Sequence, residues 1–453
     1  MKQASVSEAL ASRIAAADPA ALPARAREVA EDLVLDVAGL CIAARETDYV
    51  RAALAAATSA GRSTAIGHAR LFDCASSALV NGTAAHGEDF DDTFEGGPVH
   101  AGAPVVPAVL AAAEEFGRDG VAVLKGIVVG VETICRLGLV APKLVHKAGF
   151  HPTAVFGTMA AASAVGATLG LDAPRIAHAL GIAGSMAGGI IEYLADGAWT
   201  KRLHPGWAAQ SGIRAALLAQ HGFVGPRTVF EGTHGLFEGF ARTSEGDWGK
   251  LLDGFGRSWV TETLAFKPFA CGTMTHPYID CAIRLARRGI PAETIESITC
   301  EVAEGTVHRL WEPLEAKHAP PNAYAAKFST PFCIAAGFIL GDAGLAAFTE
   351  ATARDLRVRA LAAKVRYEID PANPYPREFT GHIRARLESG ETVEERQPHL
   401  RGGAHEPLSR AAIEAKFFAN AAFGGWPRAK AEAARDRLRG LFEGPLDLSV
   451  LRG

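Results

Sequence analysis

Apolar positions in the first two-thirds of the chain recur every three to four residues. Over 24–45, Val29, Leu33, Val37, Leu40 and Ala44 fall on one stripe, which predicts an amphipathic helix. The stretches 103–116, 121–140, 153–169, 174–188 and 206–221 carry the same period. Short Gly, Asp and Pro punctuation separates them, as at 117–120 and 171–174. From about residue 290 the period shortens to two. Ile298, Cys300 and Val302 alternate with polar neighbours, as do Val365, Tyr367 and Ile369, and 377–387 is followed by a tight turn and the run TVEER, which predicts a hairpin. Between these strands, 329–341 and 343–362 keep helical spacing, and 407–440 returns to it. The expected fold is mainly α. A large all-helical domain is built from both chain ends, 1–266 and 401–453, with an α+β domain inserted at 267–400. A crevice between the two is the natural place for a ligand.

Composition narrows the function classes. The chain has 453 residues, 49% of them hydrophobic and 21% charged, which is a globular balance. A formal net charge of −4 supplies no field for nucleic acid or an anionic membrane, so neither is an expected partner. Seven scattered cysteines without a C-x-x-C pair disfavour a zinc ribbon or a disulfide framework. No secretory leader and no uninterrupted apolar run of spanning length are read in the sequence, so a cytoplasmic location is expected.

Five segments carry candidate chemistry. The strip from His86 through Asp89, Asp91, Asp92, Thr93 and Glu95 concentrates carboxylates that repel one another, and it leads through a Gly-Gly-Pro loop to His100. By spacing alone it fits helix capping or a solvated turn, a Mg²⁺, Mn²⁺ or Fe site, or metal-free acid–base use. His151 precedes Pro152, which suits a first helical position and puts His151 at the N-cap, where a carboxylate ligand can be held. Lys201, Arg202 and His204 cluster just before Pro205, reading as a cationic loop at a helix start. Lys267 and His276 flank an apolar Cys-Gly turn. The run 326–333, with Lys327, Phe332 and Cys333, is most cheaply read as packing. Each segment also has a plain reading as a cap, a solvated turn or a satisfied core histidine. Taken together, the first four offer one acidic strip and several nitrogen donors, a set able to bind a polycarboxylate and move a proton beside a carboxylate.

The run Asn81-Gly-Thr-Ala-Ala-His86 leading into Asp89-Phe-Asp-Asp-Thr93 resembles the signature stretch of the MmgE/PrpD family. That family includes 2-methylcitrate dehydratase, cis-aconitate decarboxylase and iminodisuccinate epimerase. The resemblance continues through His100, 149–154, 200–206, Lys267-Pro268, His276 and 326–331, in order along most of the chain. It implies that the inserted domain is a lid, that the protein is a homodimer, and that neither metal nor organic cofactor is used. Carried over by position, Asp89, His100, His151, Lys201 and His276 are the implied catalytic residues. Thr93, His204 and Lys267 are implied to bind substrate. Two departures stand out. Phe332 occupies the place of a pocket tyrosine in the decarboxylase, and 96–102 replaces the His-Pro-Ser form of many relatives.

The expected activity is therefore a cofactor-independent lyase of a small di- or tricarboxylate, of the 2-methylcitrate dehydratase type. Epimerisation of an amino- or imino-polycarboxylate and cis-aconitate-type decarboxylation are the alternatives on the same residues. Two rivals come from elsewhere. An isoprenoid synthase would use the Asp-rich strip for Mg²⁺, but the second such motif is missing and the α+β insert has no place in it. A catalytically inactive binding protein would have broken the six matched active-site positions, Asp89, Thr93, His100, His151, Lys201 and His276, which are intact.

Overall fold

The computed structural model describes residues 4–453. It is 57% helix and 8% strand, a mainly α architecture. The chain divides into two compact units. One takes the described residues up to Gly87, Asp91–Leu264 and Arg410–Gly453. The other takes Glu88–Phe90 and Ala265–Ser409.

The first unit is helix on helix. Its centre is Pro152–Leu169, which packs against Gly102–Glu115, Gly120–Val140, Ala173–Met186 and Thr200–Gln220. This 18-residue helix is long and apolar enough to cross a membrane by length and mean hydropathy, but Gly, Ser and Thr interrupt its apolar residues and 94% of it is buried inside the fold. The buried hydroxyls of Thr158, Ser163 and Thr168 donate to the carbonyls four residues back, which lets a helix carrying them pass through an apolar core. Close packing depends on missing side chains. A Cβ on Gly206 would stand 2.2 Å from the Leu79 carbonyl oxygen, so the Cys74–Gly87 and Thr200–Gln220 helices can approach only over glycine.

The second unit holds a four-stranded sheet. Ile295–Val302 lies centrally, parallel to Val365–Ile369 and antiparallel to Gly381–Leu387, which pairs in turn with Thr392–Gln397. The alternation read in the sequence is real here. Ile298, Cys300 and Val302 are buried, and Ile383 and Ala385 join them from the next strand. The helices His276–Arg287 and Thr330–Leu340 pack together in this unit.

Three local expectations are corrected. The stretch 343–362 is not one helix but Leu345–Ala347, Glu350–Ala353 and Leu356–Ala362. The Thr349 and Asp355 side chains accept from Thr352 N–H and Arg357 N–H, so each begins a new short helix instead of continuing an old one. The basic cluster at 200–204 is not a loop. The helix starts at Thr200 and carries Pro205 inside it. Pro205 is the sixth residue of that helix, past the four N–H groups that have no intrahelical partner, so it removes the donor that would otherwise reach back to the residue-201 carbonyl. The acidic strip is not a solvated turn, because Asp91 and Asp92 have no exposed surface.

Candidate active site

The chemistry of the first unit gathers round His86, the penultimate residue of the Cys74–Gly87 helix and only 1% exposed. His86 Nδ1 lies 2.7 Å from Asp91 Oδ2 and His100 Nδ1 lies 2.7 Å from the Asp92 carbonyl oxygen. Both acceptors are oxygens, so both rings carry their proton on Nδ1 and, when neutral, leave the lone pair on Nε2. Asp92 turns its carboxylate the other way. It accepts from Ala101 N–H at 2.7 Å and Gly102 N–H at 2.8 Å, capping the Gly102–Glu115 helix from ten residues upstream. Burial, with the Asp91 charge beside it, pushes the Asp92 carboxyl up to about 8. The capping function weighed for this strip thus belongs to Asp92, and His86 and Asp91 form a buried pair.

Four imidazoles run on from there. The His86 ring centroid is 5.0 Å from that of His100 and 5.6 Å from that of His151, and His151 is 5.3 Å from His204. His151 is the N-cap residue of Pro152–Leu169, as Pro152 predicts. Its backbone N–H donates to Gly189 O at 2.8 Å, and Ile191 N–H donates to Gly149 O at 3.0 Å, tying 149–151 to 189–191. Gly189 has φ +125°, and a Cβ there would meet Ala154 at 2.6 Å and the His204 ring at 3.3 Å, so this tie requires glycine. His151 Nδ1 and His204 Nδ1 are 3.1 Å apart. One of them must donate and the other accept, so the pair shares one proton across this contact and the two rings are opposite tautomers.

Lys201 and His204 sit three residues apart in the first turn of Thr200–Gln220, on one face. Burial, then the charges of His86 and Lys201, pushes His204 down to about 4. Burial first, then His86, Lys201, His204 and His100, holds His151 well below the usual imidazole range. These two rings are therefore neutral near pH 7 and can take a proton or give a hydrogen bond. The Tyr193 ring meets both edgewise, at 6.1 and 5.8 Å. His100 differs from His86 in reaching solvent, with 14% of its side chain exposed against none. Thr93 is buried in the strip between Asp92 and the Gly-Gly-Pro loop.

The other implied residues, Asp89, Lys267 and His276, belong to the second unit. Lys267 Nζ, on a residue 2% exposed, donates to both the carbonyl and Oδ1 of Asp89 at 2.9 Å. Its charge is thus spent on Asp89. Lys327 does the same for the preceding residue, donating to the Glu88 carbonyl at 2.6 Å and its carboxylate at 2.7 Å. Two buried ammonium groups so grip two consecutive acids, and Asp89 is held at φ +56°, in the left-handed region that Asp tolerates better than most residues. His276 opens its helix fully buried, with Nε2 3.2 Å from the Cys271 carbonyl and the Phe269 ring edge-on at 5.5 Å. Phe332 is buried and faces Phe348 at 6.3 Å between ring centroids.

Sequence reasoning put His86 and Asp91 in the acidic strip and Lys327 in a packing run, but counted none of them, nor Glu88, among the implied catalytic or substrate-binding residues. A usable signal existed for His86, an acidic residue five positions beyond a histidine at a helix end. None existed for Lys327, whose partner is 239 residues away.

A buried acidic strip beside a row of imidazoles and a lysine defines a site of acid–base and carboxylate-binding side chains. The MmgE/PrpD N-terminal domain matches residues 8–248 and the MmgE/PrpD C-terminal domain matches residues 269–438. The chain belongs to the MmgE/PrpD family. It is 32% identical to cis-aconitate decarboxylase of Homo sapiens over 76% of this chain and 72% of that one. Against cis-aconitate decarboxylase of Aspergillus terreus the identity is 28%, over 73% and 71%.

Proposed function

We propose that the protein is a lyase of a di- or tricarboxylate that removes a proton from the carbon beside a carboxylate. The observation that carries this is the His100–His86–His151–His204 row with Lys201 at its end. Lys201 supplies an ammonium group for a substrate carboxylate, as a charge-assisted hydrogen bond. His100, the ring of this row with a fixed Nδ1–H and some solvent exposure, takes the proton on Nε2. Neutral His151, sharing its proton with His204, donates to the oxygen on which charge develops. The resemblance adds Asp89, Thr93, Lys267 and His276 as contributors.

Loss of water from a 2-hydroxy tricarboxylate is the first reading, supported by Phe332 standing where the decarboxylase relatives are expected to carry a tyrosine hydroxyl. Loss of carbon dioxide from cis-aconitate is the second, favoured by the human and fungal relatives. Neither reading uses a metal or organic cofactor. The enzyme acts as a homodimer in the cytoplasm in this proposal. Ile190, Leu194, Trp199 and Trp207, each about half exposed on one segment beside Lys201, are apolar surface that such pairing would cover.

The test is incubation of the purified protein in D₂O with 2-methylcitrate, citrate, cis-aconitate and iminodisuccinate, read by NMR. Alkene formation supports the first reading and carbon dioxide release the second. On whichever substrate turns over, His100→Ala and Lys201→Ala are each expected to lower kcat/KM by about 10²–10⁴. No reaction and no deuterium uptake with any polycarboxylate would remove the proposal.

A further inference from the structure

His86, Asp91 and His100 each offer one nitrogen or oxygen, and these three atoms lie within 4.8 Å of one another. Asp91 is the hinge of the trio, with Oδ2 2.7 Å from His86 Nδ1 and Oδ1 3.6 Å from His100 Nδ1. Donors held at metal–ligand lengths of about 2.0–2.2 Å on a tetrahedral ion stand about 3.3 Å apart, so a pair at the 4.8 Å limit must close by about 1.5 Å. His86 and Asp91 are buried, which fixes two of the three donors, and the second ring nitrogen of His86 has no hydrogen-bond partner among the described residues. His100 lies half-buried and gives the trio its open side.

We propose that His86, Asp91 and His100 form a binding site for one divalent transition-metal ion of the zinc class, and that the ion inhibits the enzyme. Once the Nδ1 protons of His86 and His100 have moved to Nε2, two imidazoles and one carboxylate suit Zn²⁺, Co²⁺ or Cu²⁺. Mg²⁺ and Ca²⁺, which want six or more oxygens, are poor matches. The site is distinct in purpose from the catalytic proposal but overlaps it. An ion on His100 ties up the imidazole that is to take the substrate proton, so occupancy and turnover exclude one another. The inhibitory part rests on the function proposed above, and the binding part does not.

The experiment uses the full chain, stripped with a chelator. Co²⁺ is added while the visible ligand-field absorption is read, and Zn²⁺ is added in a calorimeter. One ion per chain is expected, with a cobalt spectrum of low-coordinate nitrogen and oxygen ligation. His86→Gln and His100→Gln should each weaken binding at least about tenfold. The double variant His399→Ala/His405→Ala removes another close imidazole pair, with ring centroids 5.0 Å apart, and should leave binding unchanged. Zn²⁺ should then inhibit turnover, with full recovery on adding chelator. His100→Gln changes a half-buried position, and its thermal melt verifies folding if His86→Gln unfolds. Absence of stoichiometric binding, binding that survives in folded His100→Gln, or an ion that raises activity would overturn the proposal. The spectroscopic readings need no substrate, so a wrong reaction assignment leaves them decisive.

Discussion

Lys267→Met removes an ammonium group that makes two 2.9 Å hydrogen bonds to Asp89. Lys267 and Asp89 are only 2% and 3% exposed, so little water is at hand to replace it. A buried pair of this kind adds little over an apolar pair of the same shape, but half of one is costly, about 3–5 kcal/mol. The Asp89 carbonyl loses a donor as well, which alone costs about 1–3 kcal/mol. The two losses overlap, and we expect about 4 kcal/mol in total. Asp89→Asn keeps the carbonyl bond and drops the charge, and asparagine tolerates φ +56°, so its cost should be nearer 2 kcal/mol. In Asp89→Asn/Lys267→Met the stranded charge is gone. Its destabilisation should fall short of the sum of the singles by at least about 1.5 kcal/mol. Urea unfolding at neutral pH reads these values, with limited proteolysis to follow the second unit separately, because a chain of two units need not unfold in one step. Lys267→Met within about 1 kcal/mol of wild type, or singles that add to within about 0.5 kcal/mol, would refute the reasoning.

Two further outcomes follow from packing and protonation. Gly206→Ala drives a methyl group to 2.2 Å from a backbone oxygen that cannot rotate away, and should destabilise the first unit by about 2–3 kcal/mol in a thermal melt. A variant as stable as wild type would mean that the two helices are free to separate. His204 is pushed from its ordinary 6.5 down to about 4, so the unfolded chain takes up a proton there before the folded one does. Its stabilising effect is complete above pH 6.5, falls as pH drops from about 6.5 to about 4, and changes no further below that. The full swing is up to about 3 kcal/mol. His204→Gln should flatten the stability profile in that window, and an unchanged slope would contradict the assigned environment.

What the sequence discloses depends on how local the cause is. The stripe Val29–Leu33–Val37–Leu40 lies in the helix Ala24–Ala44 because burial on one face and helical period are the same statement. Pro152 announces the helix that His151 caps, and 388–391 turns between the two strands it separates. The expectations that fail are those where two local signals compete. Pro205 reads as a first helical residue, yet the helix begins five residues earlier and carries it inside. For Asp91 and Asp92 capping, a solvated turn, a metal site and acid–base use stayed open together, and in the interior backbone N–H groups and an imidazole receive them. Lys327 reads as packing because its meaning resides in Glu88, which no window on the sequence contains. The imidazole row was readable only in part. His100, His151 and His204 stand beside loops and prolines, and His86, which links the row, is buried within an apolar helix end.

The three-residue tongue Glu88–Phe90 bears on inheritance. The polypeptide passes from one unit to the other four times, at 87–88, 90–91, 264–265 and 409–410. A recombination event that exchanged only Ala265–Ser409 with a cousin would import new lysine neighbourhoods while leaving the old acids 178 and 239 positions upstream. Glu88 and Asp89 would then face strangers. The two pieces are therefore heritable as a matched set, and chimeras that respect the tongue should survive where simple cassette swaps fail.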